Sequence, residues 1–480
     1  MILKNFLNKN NTRETVKEHV RLVEPETRRI EERFVGEEWR ILAKYSTGPV
    51  DYIIYRGDDG LARLAFQEPP EPSRERLNML LSGLAQPETQ AEKYHLDKLK
   101  SGYGKIYPLI IDKYVEEIAV DGPERNIAVI HKYMPSRWIE VDLSLTREEA
   151  DSLSIQLARK AGRMISIASP IAEGLTLEGH RIAVTFSREV SRFGSTAVIR
   201  KYPDKPITMA DLVSSRMISP LAAAYLWMLL EAQGFIVIIG NMGSGKTTLL
   251  QALAGLLPPY YRIVTIEDTP EIRLQHPHWD SLVARPQPPG GEIREIGLEE
   301  LLKFAMRRRA EYLIVGEVRG REARLLAQAA ASGHGCMTTF HADSPESAIL
   351  RLRLDPISLP PLFLNVITAF AHVRRIPLRG GGAIRRLVGV SEIDGDEIVE
   401  VIEWSPTMDT HKPATAEEIA ERSTKITPAW EKIGMPGTDA VEELADRARF
   451  LAETATLTPD EFHARLREFY IEKYGEAILS

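Results

Sequence analysis

Short apolar runs rich in β-branched residues recur along the chain, separated by amphipathic segments with a helical period. Between residues 106 and 201, the runs EEIAVDG, NIAVIHKY, RIAVTFS and STAVIRKY have the length and composition of strands. Residues 146–161 have a helical pattern. The sequence therefore predicts a small α+β domain over residues 101–204.

The second half of the chain alternates between apolar runs and amphipathic helices, which favours a parallel sheet. We predict an α/β domain over residues 213–404, and the proline-containing segment KYPDKPITMADL predicts a linker at 205–212. The elements predicted in this domain include helices at 221–232 and 246–257 and strands at 235–240, 262–268 and 312–317.

The two ends of the chain have a different character. Residues 1–100 combine charged pieces with a proline-rich break, QEPPEPSR, so we expect a helical or irregular N-terminal region. After residue 404 the sequence becomes charged and amphipathic, with helices predicted at 439–454 and 459–474. We expect residues 405–480 to form a helical C-terminal appendage.

Composition narrows the class of protein. The 480 residues are 44% hydrophobic and 27% charged, as in soluble folded proteins, and the net charge of −7 gives no reason to expect a nucleic acid as direct partner. Cys336 is the only cysteine, which excludes an intramolecular disulfide and fits a reducing cytoplasm. Glu231, Gln233 and Gly234 interrupt the most apolar stretch, and the N-terminus lacks a signal-peptide pattern. We therefore expect a cytoplasmic protein without a membrane span.

A glycine-rich motif follows the predicted strand at 235–240. GNMGSGKT matches G-x-x-x-x-G-K-[ST], whose backbone N–H groups and helix N-terminus wrap a phosphate chain. Lys246 is expected to reach the β- and γ-phosphates and Thr247 to bind Mg²⁺. No [NT]-K-x-D motif follows, which favours ATP over GTP. The candidate nucleotide-binding residues are Gly240, Asn241, Met242, Gly243, Ser244, Gly245, Lys246, Thr247 and Thr248.

Two further apolar runs end in carboxylates. YLIVGE ends in Glu317, an arrangement that places an acid beside Mg²⁺ and the attacking water, so we interpret Glu317 as the Walker B acid. The run TIEDTPE ends in three acids within five residues, and we expect one of them to orient water as general base. The residues themselves leave the choice between Glu267 and Glu271 open.

Histidines and arginines supply the remaining candidates. His334 and His341 lie seven apart in GHGCMTTFHAD; a metal site would need Asp343 or a remote ligand, so a γ-phosphate sensor fits better. Residues 307–309 are three consecutive arginines, which we interpret as solvated or paired rather than bound to DNA. A ring-forming ATPase could present arginines to the nucleotide from the domain before the P-loop, where the candidates are Arg181, Arg192 and Arg200.

Together, GNMGSGKTT, TIEDTPEIRL, YLIVGEVRG and GHGCMTTFHAD resemble the Walker A, Asp box, Walker B and His box of the type II/type IV secretion ATPase superfamily. EEIAVDGPERNIAVIHKY, LARKAGRMISIASPI, EGHRIAVTF and VIEWSPTMDTH resemble its archaeal branch, which serves archaella and type IV pili. The resemblance covers most of residues 100–475. It departs from the family at RAEY (309–312), where Arg-Pro-Asp-Tyr is usual, and the four-cysteine zinc element of some bacterial members is missing.

The resemblance implies a homo-hexamer in which an N-terminal domain clamps the nucleotide of a RecA-like domain, with the linker as hinge. It favours Glu271 as the general base, Glu317 as the Walker B acid and His341 as the phosphate-proximal histidine. The implied function is an ATP- and Mg²⁺-dependent motor that is peripheral to the membrane and drives pilus or archaellum assembly through a polytopic platform protein. The alternatives are a conjugation-type DNA translocase and a non-enzymatic scaffold that uses ATP only for assembly.

Overall fold

The computed structural model divides the chain into two compact units, Met1–Pro203 and Asp204–Ser480. The structure does not describe residues 1–39, the first part of the predicted N-terminal region, or the last five residues of the predicted C-terminal appendage. The described residues are 40–202, 206–285, 294–378, 383–395, 397–433 and 439–475, without the side chains of residues 40, 135, 136 and 432.

The first unit is built on one sheet. Its strands are β1 (Arg40–Thr47), β2 (Val50–Arg56), β3 (Ala62–Gln67), β4 (Val115–Val120), β5 (Asn126–His131), β6 (Met134–Ser144), β7 (Ile171–Leu175), β8 (Arg181–Thr185) and β9 (Thr196–Arg200). Their order is β1-β2-β3-β6-β5-β4-β9-β8-β7, and of these neighbours only β3 and β6 run parallel. The helices are α1 (Arg74–Leu81), α2 (Gln90–Ser101), α3 (Tyr107–Ile111) and α4 (Arg147–Lys160).

Helix α4 covers one face of this sheet. It starts at a capping box in which Thr146 and Glu149 satisfy each other's backbone N–H groups, a strong local start signal. Its Leu153, Leu157 and Ala158 are buried and belong to the same core as the inward residues of β7, β8 and β9. The predicted helix at 146–161 therefore forms with nearly the predicted bounds.

The expectation of a helical or irregular region at 1–100 needs correction over residues 40–67, where β1, β2 and β3 join the sheet. In β2, four consecutive residues from Tyr52 to Tyr55 are each at most 1% exposed, because both faces of the strand are covered. Such a strand lacks the two-residue alternation that identifies a half-exposed strand, so its pattern is ambiguous in sequence. Helices α1 and α2 match the helical expectation.

The second unit also contains one large sheet. Its strands are β10 (Phe235–Ile239), β11 (Ile263–Glu267), β12 (Trp279–Val283), β13 (Tyr312–Glu317), β14 (Gly335–Phe340), β15 (Ala369–Pro377), β16 (Ala383–Asp394), β17 (Glu397–Ser405) and β18 (Thr410–Lys412). Its helices are α5 (Met209–Ser214), α6 (Pro220–Glu231), α7 (Lys246–Ala254), α8 (Leu298–Ala305), α9 (Glu322–Ala331), α10 (Pro345–Arg353), α11 (Pro361–Leu364), α12 (Ala416–Arg422), α13 (Ile426–Ile433), α14 (Ala440–Glu453) and α15 (Pro459–Tyr474).

The strand order is β12-β11-β13-β14-β10-β15-β16-β17-β18. The six strands from β12 to β15 are parallel, and β16, β17 and β18 extend the sheet in antiparallel fashion. All five residues of β10 are buried, with Ile236 and Ile238 in one apolar core and Phe235, Val237 and Ile239 in the other. Helices thus cover both faces, as parallel sheets require, and the α/β fold class is confirmed.

The predicted linker at 205–212 overlaps helix α5, which begins at Met209. Thr208 and Asp211 form a capping box, and Met209, Ala210 and Leu212 are buried in the core of the second unit. The linker expectation therefore fails for residues 209–212, because a start signal of the type [ST]-x-x-[DE] outweighs the two prolines before it. Within the described residues, no helix combines the length and apolar character needed to cross a bilayer.

The C-terminal helices are part of the second unit's core. The predicted helices at 439–454 and 459–474 are present as α14 and α15, and both pack into the core that contains α6. Trp227 of α6 donates a hydrogen bond to the Tyr470 hydroxyl at 2.8 Å, and Tyr470 donates to the carbonyl of Leu256 after α7 at 2.8 Å. The helical expectation for 405–480 needs correction at its start, because β18 runs to Lys412, and the region is integral to the fold.

A buried ionic cluster joins α14, α15 and α6. Arg447 is fully buried, and its guanidinium lies 2.8 Å from Glu231 and 3.3 Å from Glu443, both at most 2% exposed. The guanidinium also stacks 4.5 Å from the ring centroid of Trp227. Lys473 pairs with Glu443 at 2.5 Å. Buried charges persist only when they are paired in this way, so Arg447 fixes the C-terminal helices to α6.

Candidate nucleotide-binding site

The predicted motifs meet at one edge of the parallel sheet. Strands β11, β13, β14 and β10 are consecutive neighbours, and each is followed at its carboxyl end by one of the four motif segments. In open α/β sheets, ligands bind in the crevice outside the carboxyl ends of the strands. The fold therefore places the Asp box, Walker B, His box and P-loop on the same edge.

The P-loop backbone depends on its glycines. Gly240, Gly243 and Gly245 have φ angles of 152°, 70° and 97°, which L side chains rarely adopt. A Cβ atom on Gly240 would lie 2.2 Å from the carbonyl oxygen of Val373 in β15. The loop thus turns tightly against the neighbouring strand before it enters helix α7, whose first N–H groups receive no side-chain cap at Gly245.

Lys246 lies almost buried, 8% exposed, within this loop. Its ammonium group donates hydrogen bonds to the carbonyls of Gly240 at 3.0 Å and Asn241 at 3.1 Å, and to His341 Nδ1 at 3.3 Å. Burial lowers its pKa, which the nearby carboxylate of Glu317 opposes. The lysine is therefore held inside the loop by two loop carbonyls and a histidine.

His341 bridges two of the predicted motifs. Because Lys246 can only donate, His341 Nδ1 accepts, which leaves Nε2–H to face Glu317 Oε1 at 3.3 Å. Burial and the charge of Lys246 lower the pKa of His341, so the neutral ring with a proton on Nε2 is favoured. The structure thus brings the predicted Lys246, His341 and Glu317 together.

Glu317 ends β13 at an irregularity in its pairing with β14, between Val315 and Glu317. The side chain of Glu317 is 45% exposed, so its carboxylate is open to a ligand. Thr339 of β14 fixes the turn by donating a hydrogen bond to the Gly316 carbonyl at 2.7 Å. Thr247 is half-buried in the first turn of α7. Both side chains offer oxygen ligands, the type that Mg²⁺ prefers.

The two candidate bases differ sharply in their surroundings. Glu267, the last residue of β11, is 3% exposed, and its Oε1 accepts hydrogen bonds from the backbone N–H groups of Glu271 at 2.9 Å and Ile272 at 3.0 Å. Burial raises the pKa of Glu267 to about 7. The side chain of Glu271, in contrast, lies in a partly exposed position.

Sequence reasoning missed two contacts that shape this edge. Arg385 of β16 donates a hydrogen bond to the carbonyl of Gly243 in the P-loop at 3.1 Å. Arg319, after Walker B, forms an ion pair with Asp268 of the Asp box at 2.6 Å. Both arginines lie in charged segments that match no motif. Their contacts become visible only in the fold, which brings together strands that are distant in sequence.

Two other candidates lie elsewhere in the second unit. His334 precedes β14, at the opposite end of the strand from His341, and its Nδ1 contacts the carbonyl of Ala310 at 2.8 Å. The two histidines therefore cannot share a metal ion, and the described residues contain no group of three or more side chains suited to one. Arg308 forms an ion pair with Asp280 at 3.0 Å, as expected for a paired rather than DNA-binding arginine.

The three arginine candidates of the first unit are on or near β8 and β9. Arg181 and Arg200 are directly opposite each other in the pairing of these strands, and Arg200 lies 3.8 Å from Glu117. Arg192 is exposed in the turn before β9, with its guanidinium 5.9 Å from the ring centroid of Phe193. Their role toward a nucleotide stays a prediction.

The P-loop has the chemistry of a polyphosphate site. The Ser244 hydroxyl oxygen is buried and has no hydrogen-bond partner within the described residues, although buried polar groups are normally satisfied. It stands beside an uncapped helix N-terminus and the positive charge of Lys246. A bound phosphate chain would supply acceptors for all three groups, so the residues fit a nucleotide with Mg²⁺.

Comparisons with known proteins identify the family. Residues 172–357 match the family model described as "Type II/IV secretion system protein". The uncharacterized protein MJ0900 of Methanocaldococcus jannaschii is 37% identical over 66% of this chain and 58% of its own length. MJ1287 of the same organism, also uncharacterized, is 39% identical over 54% of this chain and 96% of its own length.

The type IV secretion system protein PtlH of Bordetella pertussis is 37% identical over 36% of this chain and 53% of its own length. The chain thus spans little more than half of the length of MJ0900 and PtlH. The residues that match the family model contain five of the six parallel strands, β10 to β14, and the four motif segments at their carboxyl ends. The chain belongs to the type II/IV secretion system ATPase superfamily.

Proposed function

We propose that this protein is an ATP-hydrolysing motor subunit that works as a homo-hexamer on a membrane platform protein of a pilus- or archaellum-like machine. The observation that carries the proposal is the set of contacts from Lys246 through His341 to Glu317, a hydrogen bond followed by a 3.3 Å contact between His341 Nε2 and Glu317 Oε1, which places the phosphate-binding lysine beside the Walker B acid. A cytoplasmic location at the membrane face belongs to the same proposal.

The residues divide the work as follows. The P-loop N–H groups and Lys246 hold the β- and γ-phosphates, and Thr247 and Glu317 would hold Mg²⁺, which would neutralise charge that develops on the phosphates. Glu271 orients the attacking water. Arg181, Arg192 and Arg200, in a clamping domain over residues 101–204, offer positive charge to the nucleotide across a hinge.

His341 supplies the sensor. Lys246 uses its N–H donors on two loop carbonyls and His341 Nδ1, and a γ-phosphate competes for the same donors. When Lys246 turns to the phosphate, Nδ1 of His341 loses its donor, and the ring is free to contact the phosphate or shift toward Glu317. Such an exchange reports the presence of the γ-phosphate to the strand that bears the His box.

The test is steady-state ATP hydrolysis as a function of protein concentration. We compare the wild type with Glu317→Gln and with Glu421→Gln, a control of the same chemistry at an exposed position on α12. A hexameric motor gives activity that rises cooperatively with concentration and falls at least about 10²-fold in Glu317→Gln only. Activity independent of concentration would contradict the ring.

Added lipid, single-stranded DNA and double-stranded DNA separate the two motor classes. Stimulation by lipid, with no response to DNA, supports the platform-driven motor. Strong stimulation by DNA would replace it with a conjugation-type translocase. If the protein binds ATP but hydrolyses it under none of these conditions, the remaining interpretation is a non-enzymatic scaffold that uses ATP only for assembly.

A further inference from the structure

Glu267 has contacts that a general base does not need. Its Oε1 accepts two backbone hydrogen bonds, from Glu271 and Ile272, which occupy both lone pairs of that oxygen. Its Oε2 is buried and has no hydrogen-bond partner in the part of the chain that the structure describes. A water molecule therefore has no access to either oxygen without a rearrangement of the segment after β11.

The same contacts fix the segment that carries Glu271. Ile272 is 1% exposed and packs into the core beneath the sheet, so the chain must turn sharply between β11 and Ile272. The side chain of Glu267 fills the inside of this turn. It also packs against Walker B, because a Cβ atom on Gly316 would lie 3.1 Å from Glu267 Cγ.

We propose that Glu267 is a positioning residue that sets the backbone of Glu271 relative to Walker B, and that Glu271 alone acts on the attacking water. This inference rests on the proposed ATPase function. The raised pKa of Glu267, about 7, agrees with it, since a side chain used as a backbone acceptor works as well when neutral. Glutamine keeps an acceptor oxygen of the same reach, whereas alanine removes it.

The experiment compares Glu267→Gln, Glu267→Ala and Glu271→Gln for kcat, for the KM of ATP and for binding of a fluorescent ATP analogue. We expect Glu267→Gln to keep kcat within about threefold, and Glu271→Gln to lose about 10²-fold or more, the usual contribution of a general base. Glu267→Ala loses about 10- to 100-fold in kcat through misplacement of Glu271, with little change in KM or nucleotide binding.

Loss of activity in Glu267→Gln equal to that in Glu271→Gln would overturn the inference and make Glu267 the base. Wild-type activity in Glu267→Ala would equally overturn it. If Glu267→Ala does not fold, the kcat values of Glu267→Gln and Glu271→Gln still show which of the two residues acts as the base.

A second readout does not depend on catalysis. Hydrogen exchange of the peptide that contains residues 268–274 is measured in the full chain. We expect faster exchange in Glu267→Ala and wild-type exchange in Glu267→Gln and Glu271→Gln. If the wild type binds but does not hydrolyse ATP, the proposed function fails, whereas this exchange pattern still supports Glu267 as the anchor; equal exchange in all variants would refute it.

Discussion

Replacement of Arg447 by methionine tests the buried cluster that joins the C-terminal helices to α6. The substitution keeps most of the apolar volume but leaves Glu231 and Glu443 buried without the guanidinium that pairs with both. Glu443 retains Lys473, and Glu231 retains the Tyr474 hydroxyl. Removal of one partner from a buried ion pair costs about 3–5 kcal/mol. We expect a loss of that size in the free energy of unfolding of the second unit.

The assay is urea unfolding of the full chain, followed by tryptophan fluorescence, since Trp227 stacks on the Arg447 guanidinium. With a urea dependence of about 1–3 kcal/mol per molar, the midpoint of that transition falls by about 1 M or more. Arg449→Met is the matched control on the same helix, because Arg449 is 67% exposed and pairs only at the surface with Asp446. Its expected effect is below about 1 kcal/mol.

The double variant Arg447→Met, Glu231→Gln separates charge from shape. It removes one uncompensated buried charge and keeps an acceptor for Tyr474, so it should be more stable than Arg447→Met alone. If Arg447→Met and Arg449→Met have equal urea midpoints, the reasoning is refuted, because the buried cluster then contributes no measurable stability.

Two further tests address other parts of the molecule. Burial lowers the pKa of His131 to about 3. Below pH 6.5, the unfolded chain therefore binds a proton on His131 that the folded chain does not bind. As the pH falls below 6.5, the free energy of unfolding decreases by about 1.4 kcal/mol per pH unit. Urea midpoints between pH 7 and pH 5 should therefore fall less steeply in His131→Gln, and an equal slope would exclude His131 as the source. Arg385→Ala removes the hydrogen bond to the Gly243 carbonyl and should weaken binding of a fluorescent ATP analogue about 5- to 30-fold, or about 1–2 kcal/mol, whereas Arg375→Ala, exposed on β15, should not.

Local sequence patterns predicted β10, β11, β13 and the glycine-rich loop well, for physical reasons. A strand such as β10, buried on both faces, must be a continuous apolar run, and a phosphate loop must be rich in glycine between a strand and a helix. The amphipathic pattern predicted the bounds of α15, where the structure shows a capping box formed by Thr458 and Glu461. These features depend on residues close together in the chain.

Features that depend on distant residues were not predictable. Arg447 looks like an ordinary surface charge on an amphipathic helix, and only the fold shows that it faces Glu231, more than two hundred residues earlier. The hydrogen bond from Arg385 to the P-loop is likewise visible only from the order of the strands in the sheet. The family resemblance favours Glu271 over Glu267 as the base, and the burial of Glu267 that supports this proposal is not revealed by three acids within five residues of a sequence.

The position of β10 in the sheet has a consequence for synthesis of the protein. The P-loop follows β10 near the middle of the chain, but the strands that pair with β10 are β14 and β15. Later still in the chain, Arg385 contacts the P-loop, and Tyr470 of α15 contacts Leu256 just after α7. A nascent chain that ends before these residues carries the glycine-rich motif without the walls that shape it. The P-loop can therefore take its folded shape only after the ribosome has released most of the second unit.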